Sequence, residues 1–354
     1  MSRGTGPAWL QAAQKRGPVN VLLWPVSLLY RSLVAIRRRL YASGVMRVHR
    51  LDVPVVVVGN AVVGGAGKTP CTIALVNHLA SQGWYPGVVS RGHGRQASNA
   101  HHVRADSSAS DVGDEPLLIH RRTGAPVCVA ARRVEAALAL RALHPQVDVL
   151  VCDDGLQHLA LGRDLAIVVF DDRGTGNGWM LPAGLLREPW PPSPGAPFRP
   201  DMMLRQSVDG CSERPVETAG MPVFGATRRL ASEAIGPQGQ RLPLVELQGQ
   251  AFIAVAGIAR PQVFFDMLRQ RGLVPAREVG LPDHADPSAY VELVRSAAHP
   301  LLCTEKDAVK LFELLPTAAP GMPPMAWAVP LELTPEPAFL SAVDAHLASF
   351  KSQR

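Results

Sequence analysis

The residues with the most chemistry in their spacing are Gly59-Asn60-Ala61-Val62-Val63-Gly64-Gly65-Ala66-Gly67-Lys68-Thr69-Pro70. Val55-Val56-Val57-Val58 precedes them as an unbroken β-branched run, and Cys71 to Leu79 follows with apolar residues at helical period. Strand, glycine-rich loop, Gly-Lys-Thr and helix in that order make a phosphate-binding loop. Gly64, Gly65 and Gly67 let backbone N–H groups approach phosphate oxygens, and the helix start adds the positive end of its dipole. Ala66 and Pro70 complete the cradle. Lys68 is placed to reach the β- and γ-phosphates of a nucleotide, and the Thr69 hydroxyl to hold Mg²⁺. Val62 stands where a first glycine, five residues before Gly67, is usual.

Carboxylates recur at the ends of apolar runs. Asp153-Asp154 follows Val147 to Cys152, which suits the acidic partner of a phosphate loop, holding Mg²⁺ or its water. Asp114-Glu115 and Asp171-Asp172 are further pairs. Phosphoryl transfer to a hydroxyl needs a base, and any of these carboxylates could serve; Asp114 could equally cap a helix. His284, in Leu281-Pro282-Asp283-His284, is either a site residue or a turn histidine. Arg91, Arg133 and Arg187 could each neutralise phosphate charge or simply be solvated.

Alternating strands and helices must position these groups. Strand patterns fall at Gly87–Ser90, Pro126–Val129, Val147–Cys152 and Leu165–Phe170, with helical patterns over Asp114–Arg121 and Arg132–Leu143. The fold class expected is α/β: a P-loop NTPase-like parallel sheet with helices on both faces, plus a second, smaller α/β domain and an N-terminal membrane-associated helix. Ligands on such sheets bind beyond the carboxyl ends of the strands, where the polar clusters fall. Weaker strands are expected at 202–204 and 222–224, after a stiff proline-rich loop beginning at Pro189. A second unit starts near Ala251, with strands at 252–256, 301–304 and 325–329 and helices from Pro261 to Arg271 and Ala338 to Phe350. The division expected is 1–50, a basic membrane-associated segment; 51–220, the P-loop domain; and 221–354, the C-terminal α/β domain.

The chain has 354 residues, 47% of them hydrophobic, and a net charge of +6. Residues 1–50 hold nine Lys or Arg and no acidic residue, so the remaining 304 carry 27 basic against 30 acidic residues, a net of −3. A nucleic-acid-binding body is excluded, because the basic character lies in the arm and not on the fold. Gly17 to Tyr30 carries no charge and is flanked by Lys15-Arg16 and by Arg31 and Arg37-Arg38-Arg39. Arg31 ends the run before the roughly 20 residues a spanning helix needs. An interfacial helix on anionic lipid is expected, with Trp24 and Tyr30 at headgroup level. The cysteines at 71, 128, 152, 211 and 303 show neither metal spacing nor a paired framework, which suits a reducing compartment.

The ordered set of motifs resembles the tetraacyldisaccharide 4′-kinase family, the lipid A 4′-kinases of Gram-negative bacteria, over nearly the whole chain. It comprises the phosphate loop, Ser90-Arg91-Gly92, Gly113-Asp114-Glu115-Pro116, Asp153-Asp154-Gly155-Leu156-Gln157-His158, Gly176-Asn177-Gly178, Leu181-Pro182-Ala183-Gly184, Leu186-Arg187-Glu188, Ala256-Gly257-Ile258, Asp283-His284 and Thr304 to Lys310. The resemblance implies that ATP phosphorylates the 4′-hydroxyl of a tetraacylated glucosamine disaccharide 1-phosphate, giving lipid IVA and ADP. It implies Asp114 as general base paired with His284, Lys68 on the triphosphate, and Thr69, Glu115, Asp153 and Asp154 at or near Mg²⁺. Arg91, Arg133, Gln157, His158 and Arg187 match positions lining the site. The N-terminal arm matches a segment attached to inner-membrane lipid, on the cytoplasmic face, peripheral or monotopic. The proline-rich loop from Pro189 departs from the family pattern. Two alternatives are a membrane-attached P-loop regulatory ATPase and a GTPase. The first would carry Lys where Val63 stands. The second would show Asn-Lys-x-Asp, of which Thr304-Glu305-Lys306-Asp307 is only an echo.

Overall fold

Uncharged β-branched runs make strands that are buried on both faces, and such strands pair in parallel under helices. The computed structural model describes residues 8–95, 99–208, 215–315 and 325–351; Cys211 lies outside them. The first strands in chain order are β1 (Val55–Gly59), β2 (Pro86–Ser90), β3 (His101–Val103), β4 (Val127–Val129), β5 (Val149–Asp153), β6 (Leu165–Phe170), β7 (Met202–Val208) and β8 (Val223–Leu230). Then come β9 (Glu233–Ile235), β10 (Arg241–Pro243), β11 (Ile253–Ala256), β12 (Arg277–Gly280), β13 (Leu301–Thr304), β14 (Ala326–Val329) and β15 (Leu331–Pro335). The larger sheet has nine strands in the order β15-β8-β7-β6-β1-β5-β2-β4-β3. All its pairs are parallel except β3–β4 and β15–β8 at the two edges.

Helices cover both faces of this sheet. In chain order they are α1 (Ala8–Ala12), α2 (Pro18–Ala42), α3 (Lys68–Ser81), α4 (Ala109–Val112), α5 (Asp114–Thr123), α6 (Arg133–Leu143), α7 (Pro261–Gln270), α8 (Pro287–Ser296), α9 (Glu305–Leu311) and α10 (Pro337–Lys351). Leu75 and Leu79 of α3, Leu117 of α5 and Phe339 and Val343 of α10 share one core with Val56, Val58 and Val151. Leu10 of α1 and Val134, Ala137 and Leu140 of α6 share the opposite core with Val57, Leu150 and Cys152. The smaller sheet has six strands, β10-β9-β14-β13-β11-β12, with a parallel centre from β14 to β12. Phe264, Phe265 and Leu268 of α7 cover one of its faces, and Tyr290 and Leu293 of α8 with Leu311 of α9 cover the other.

Sheet membership departs from a boundary at 220. β8 continues the larger sheet, pairing with β7 from Met203↔Val223 to Val208↔Arg228, and β15 returns to pair with β8. The second sheet is confined to 233–329, and α10 packs back on the first core. β7 and β8 run past the expected 202–204 and 222–224 into polar stretches, Arg205-Gln206-Ser207 and Thr227-Arg228-Arg229, that carry no apolar strand pattern.

Helix α2 is longer than the uncharged run that announced it. It passes through Arg31 to Ala42, 25 residues, and by length and composition alone could cross a membrane. Its amphipathicity is inverted. Asn20 and Ser27 are 4% exposed, whereas Leu22 is 78% and Leu29 is 62% exposed. The polar side chains face the body: Asn20 Nδ2 donates to the Ala183 carbonyl at 2.9 Å and the Ser27 hydroxyl to the Met180 carbonyl at 2.8 Å. The proline-rich segment is tied down. Trp190 meets Phe170 edge-on at 4.8 Å and donates to the Glu217 carbonyl at 2.8 Å.

Candidate active site

Gly67 ends the phosphate loop at φ 75°, a left-handed backbone that glycine adopts without strain, and α3 begins at Lys68. A Cβ there would also collide with Gln206, whose Nε2 donates to the Gly67 carbonyl at 2.7 Å. On Gly64, a Cβ would strike Leu10 at 2.8 Å, so the N-terminal helix packs directly on the loop. From the second sheet, Ala259 reaches the position a Gly65 side chain would take, at 3.0 Å. Lys68 Nζ lies 3.7 Å from Asp154 Oδ1.

Asp153 and Asp154 differ in environment. Asp153 ends β5 and is buried, and Oδ1 accepts from the Thr72 hydroxyl at 2.9 Å. Its Oδ2 has no hydrogen-bond partner among the described residues. Burial, with Glu115 and Asp154 close by, pushes the Asp153 carboxyl up to about 7, against the pull of Lys68 and Thr72. Asp154 faces the cavity. Burial raises its carboxyl, but Lys68 and Arg187 outweigh this and hold it low; Arg187 Nη1 donates to both its oxygens, at 2.9 and 3.2 Å.

Asp114 opens α5 and is buried at the far side of the same space. His284 Nδ1 lies 3.1 Å from its Oδ2, across 170 residues of sequence. Lys310 Nζ stands 3.4 Å and Lys306 Nζ 4.0 Å from the same oxygen. Burial alone would raise the Asp114 carboxyl; the His284 hydrogen bond and the two lysines override it and hold it well below the usual carboxylate range. Lys306 is the hub: it reaches Asp283 at 2.8 Å, Glu115 at 3.3 Å and His284 Nε2 at 3.3 Å. His284 has φ 58°, unusual for a non-glycine residue, and its ring meets His93 edge-on at 4.6 Å. Beneath, Asp307 accepts from Tyr290 at 2.6 Å and from the Gly257 N–H at 2.9 Å, fixing the strand-end loops that carry this cluster.

One cavity of about 820 Å³ joins these groups. Gly64, Gly65, Gly67, Lys68, Thr69 and Pro70 line it, together with Arg91, Glu115, Arg133, Asp154, Gln157, His158, Arg187 and His284. Ala66, Asp114 and Asp153 are buried just behind its wall. Arg133 donates to the Asp154 carbonyl at 3.1 Å, and Gln157 to the Asn60 carbonyl at 3.1 Å. Burial pushes the His158 imidazole down to about 4, helped by Arg133, Arg37 and Arg163. Tyr30 and Arg37 of α2 are also in the wall.

Asp171 and Asp172 are not available as bases. Arg173 pairs with Asp171 at 2.8 Å, and Arg260 of the second sheet pairs with Asp172 at 2.5 and 2.8 Å. Arg173 also donates to the Val63 carbonyl at 3.1 Å, which ties the pair to the phosphate loop. Thr72, Gln206 and Arg260 had no distinguishing sequence signal, whereas Lys310 closes the Thr304 to Lys310 string without a role assigned to it. Lys306 had a signal, since it stands among charged residues directly after a strand.

Residues 19–348 match the family described as Tetraacyldisaccharide-1-P 4′-kinase. The chain belongs to that family. A tetraacyldisaccharide 4′-kinase of Acidovorax sp. (strain JS42) is 52% identical over 342 residues, spanning 96% of this chain and 94% of that one. One from Delftia acidovorans is 45% identical over 354 residues, 100% of this chain and 97% of that one. Among solved structures, LpxK from Aquifex aeolicus in complex with ATP has a TM-score of 0.75 at 25% identity, over 94% of this chain and 99% of that one. This chain is accordingly a kinase, and its P-loop-type α/β fold is that of the family.

Proposed function

We propose that this kinase transfers the γ-phosphoryl group of ATP to the 4′-hydroxyl of a tetraacylated glucosamine disaccharide 1-phosphate, giving lipid IVA and ADP. The observation that carries the reading is a single cavity uniting a phosphate loop with a buried carboxylate–histidine pair and three arginines. Lys68 and the loop N–H groups hold the triphosphate, and Arg91, Arg133 and Arg187 spread the charge of the transferred group. Asp114 takes the proton of the acceptor hydroxyl, and His284 orients the carboxylate from the second sheet. A carboxylate held so far down is a weak base. A loose transition state asks little of it until late, so positioning counts for more than basicity.

Mg²⁺ fits the acidic side of the cavity. Asp153 keeps an unpartnered buried oxygen, and the nearby Glu115 and Asp154 raise its carboxyl, a repulsion that a cation would relieve. Asp153, Asp154, Glu115 and Thr69 would hold it, and bound there it would neutralise the β- and γ-phosphates. Helix α2 would lie on the cytoplasmic face of the inner membrane with Leu22, Leu29 and Leu33 in lipid. Its outward apolar face and inward polar contacts support attachment alongside the body. The division of labour we favour follows the sheets: the larger carries the loop and Asp114, and the smaller carries His284 and Lys306.

The test is ATP turnover by the full chain in mixed micelles, with and without the acylated disaccharide. A kinase consumes ATP in proportion to acceptor. Turnover unaffected by acceptor would instead indicate a membrane-attached regulatory ATPase.

A further inference from the structure

An exposed apolar helix needs only its lipid face to act as an anchor, yet α2 also sends charged and polar groups into the catalytic centre. Arg38 Nη1 donates to Glu188 Oε2 at 2.7 Å, in a pair largely shielded from solvent. The other Glu188 oxygen accepts from Gln157 Nε2 at 2.8 Å. The Gln157 carbonyl oxygen accepts from Arg187 Nη1 at 3.3 Å, and that same nitrogen donates to Asp154. Asp154 faces Lys68 of the phosphate loop. A second strand of contacts runs beside the first: the Tyr30 hydroxyl donates to the Arg187 carbonyl at 3.0 Å. Arg38 Nη2 donates to the Pro197 and Phe198 carbonyls at 3.2 and 3.0 Å, so the proline-rich loop closes over the pair.

We propose that Arg38 and Glu188 are positioning residues that transmit the seating of α2 to Arg187, Asp154 and Lys68. The inference rests on the kinase reading above. The links from Arg38 to Asp154 are directed hydrogen bonds with both partners at least partly buried, and an ion pair at 3.7 Å completes the path to Lys68. Removing Arg38 takes from Glu188 its hydrogen-bonded cation and leaves it with Gln157 and the field of Arg163. Gln157 is then held by the Asn60 carbonyl and by a Glu188 side chain no longer fixed by Arg38, so the aim of its oxygen at Arg187 loosens, and with it one of the constraints holding Arg187 on Asp154. A helix seated on lipid would thus hold the phosphate end of the site in working order, and a helix displaced from the body would loosen it.

The experiment uses the full chain in mixed micelles of detergent and acylated disaccharide. Wild-type transfer is measured first; its absence would count against the kinase reading and not against this coupling. Arg38→Ala is then compared with Arg39→Ala, which removes the same charge from an exposed position on the same helix. The expected result for Arg38→Ala is a loss of about ten-fold in kcat/KM for ATP. This loss should be unchanged when the acceptor is diluted on the micelle surface, and Arg39→Ala should stay close to wild type. Glu188→Gln should lose activity to a similar degree, and the double variant should be no worse than the weaker single one. Arg38→Lys, which keeps the charge but not the fork, should lie between. Equal behaviour of Arg38→Ala and Arg39→Ala would overturn the proposal. So would multiplying effects of Arg38→Ala and Glu188→Gln, or a defect confined to the acceptor KM that grows with surface dilution, the mark of a simple anchor.

Discussion

Replacing Asp114 with alanine removes the proposed base and leaves Lys306 and Lys310 without their shared carboxylate. The expected outcome is a fall in kcat on the order of 10²- to 10⁴-fold, with a smaller change in the ATP KM. A rise confined to the ATP KM in steady-state assays would make Asp114 a nucleotide contact instead. His284→Ala should show the same pattern more weakly, and the two should be non-additive because they act as one unit. His158 gives a prediction about stability. The folded chain holds it neutral down to about 4, against an ordinary value of 6.5. Between those values the unfolded chain binds more protons, so stability rises with pH across that window and is lost as pH falls through it. His158→Gln should therefore show a smaller drop in urea midpoint than wild type on going from neutral pH to about pH 5; equal drops would refute the assignment. Most of these residues were legible because they sit in short strings at strand ends. Thr72 and Gln206 were not, because a lone polar residue on a helix or strand carries no sign of what the fold brings against it.

Helix α2 is the element whose placement matters most. Leu22→Ser, Leu29→Ser and Leu33→Ser together remove apolar groups from its outward face without touching Asn20, Ser27 or Arg38. The protein should shift toward the soluble fraction on cell fractionation, while ATP binding is retained. Undiminished membrane recovery would mean that another surface holds the protein there. The apolar run and its basic flanks were plain in the sequence. The inverted face was not, because Asn20 and Ser27 read as ordinary interruptions until their carbonyl partners are known. Buried parallel strands such as Leu165–Phe170 were read closely from their β-branched runs. The edge strands β3, β10 and β12, and β9 beside β10, are only three or four residues long and carry too few apolar positions to mark a period.

At the scale of the whole molecule, the proposed mechanism requires the smaller sheet to meet the larger. Arg260 bridges them through Asp172, next to Ala259, which packs against Gly65 of the phosphate loop. Arg260→Ala should raise the ATP KM about ten-fold with less effect on kcat, because it releases the cover of the loop and not the reacting groups. An unchanged ATP KM would show that the bridge has no part in binding. The return of β15 and α10 to the first sheet escaped the sequence because pairing between distant edge strands leaves no local signal. Phosphoryl transfer to one hydroxyl is tested most directly by incubating the full chain with γ-labelled ATP and the tetraacylated disaccharide 1-phosphate, then locating the label. The expected product is a bisphosphorylated lipid with label on the 4′-oxygen, formed by wild type and lost in a folded Lys68→Ala variant. Label released only as inorganic phosphate, or formed equally by Lys68→Ala, would contradict it.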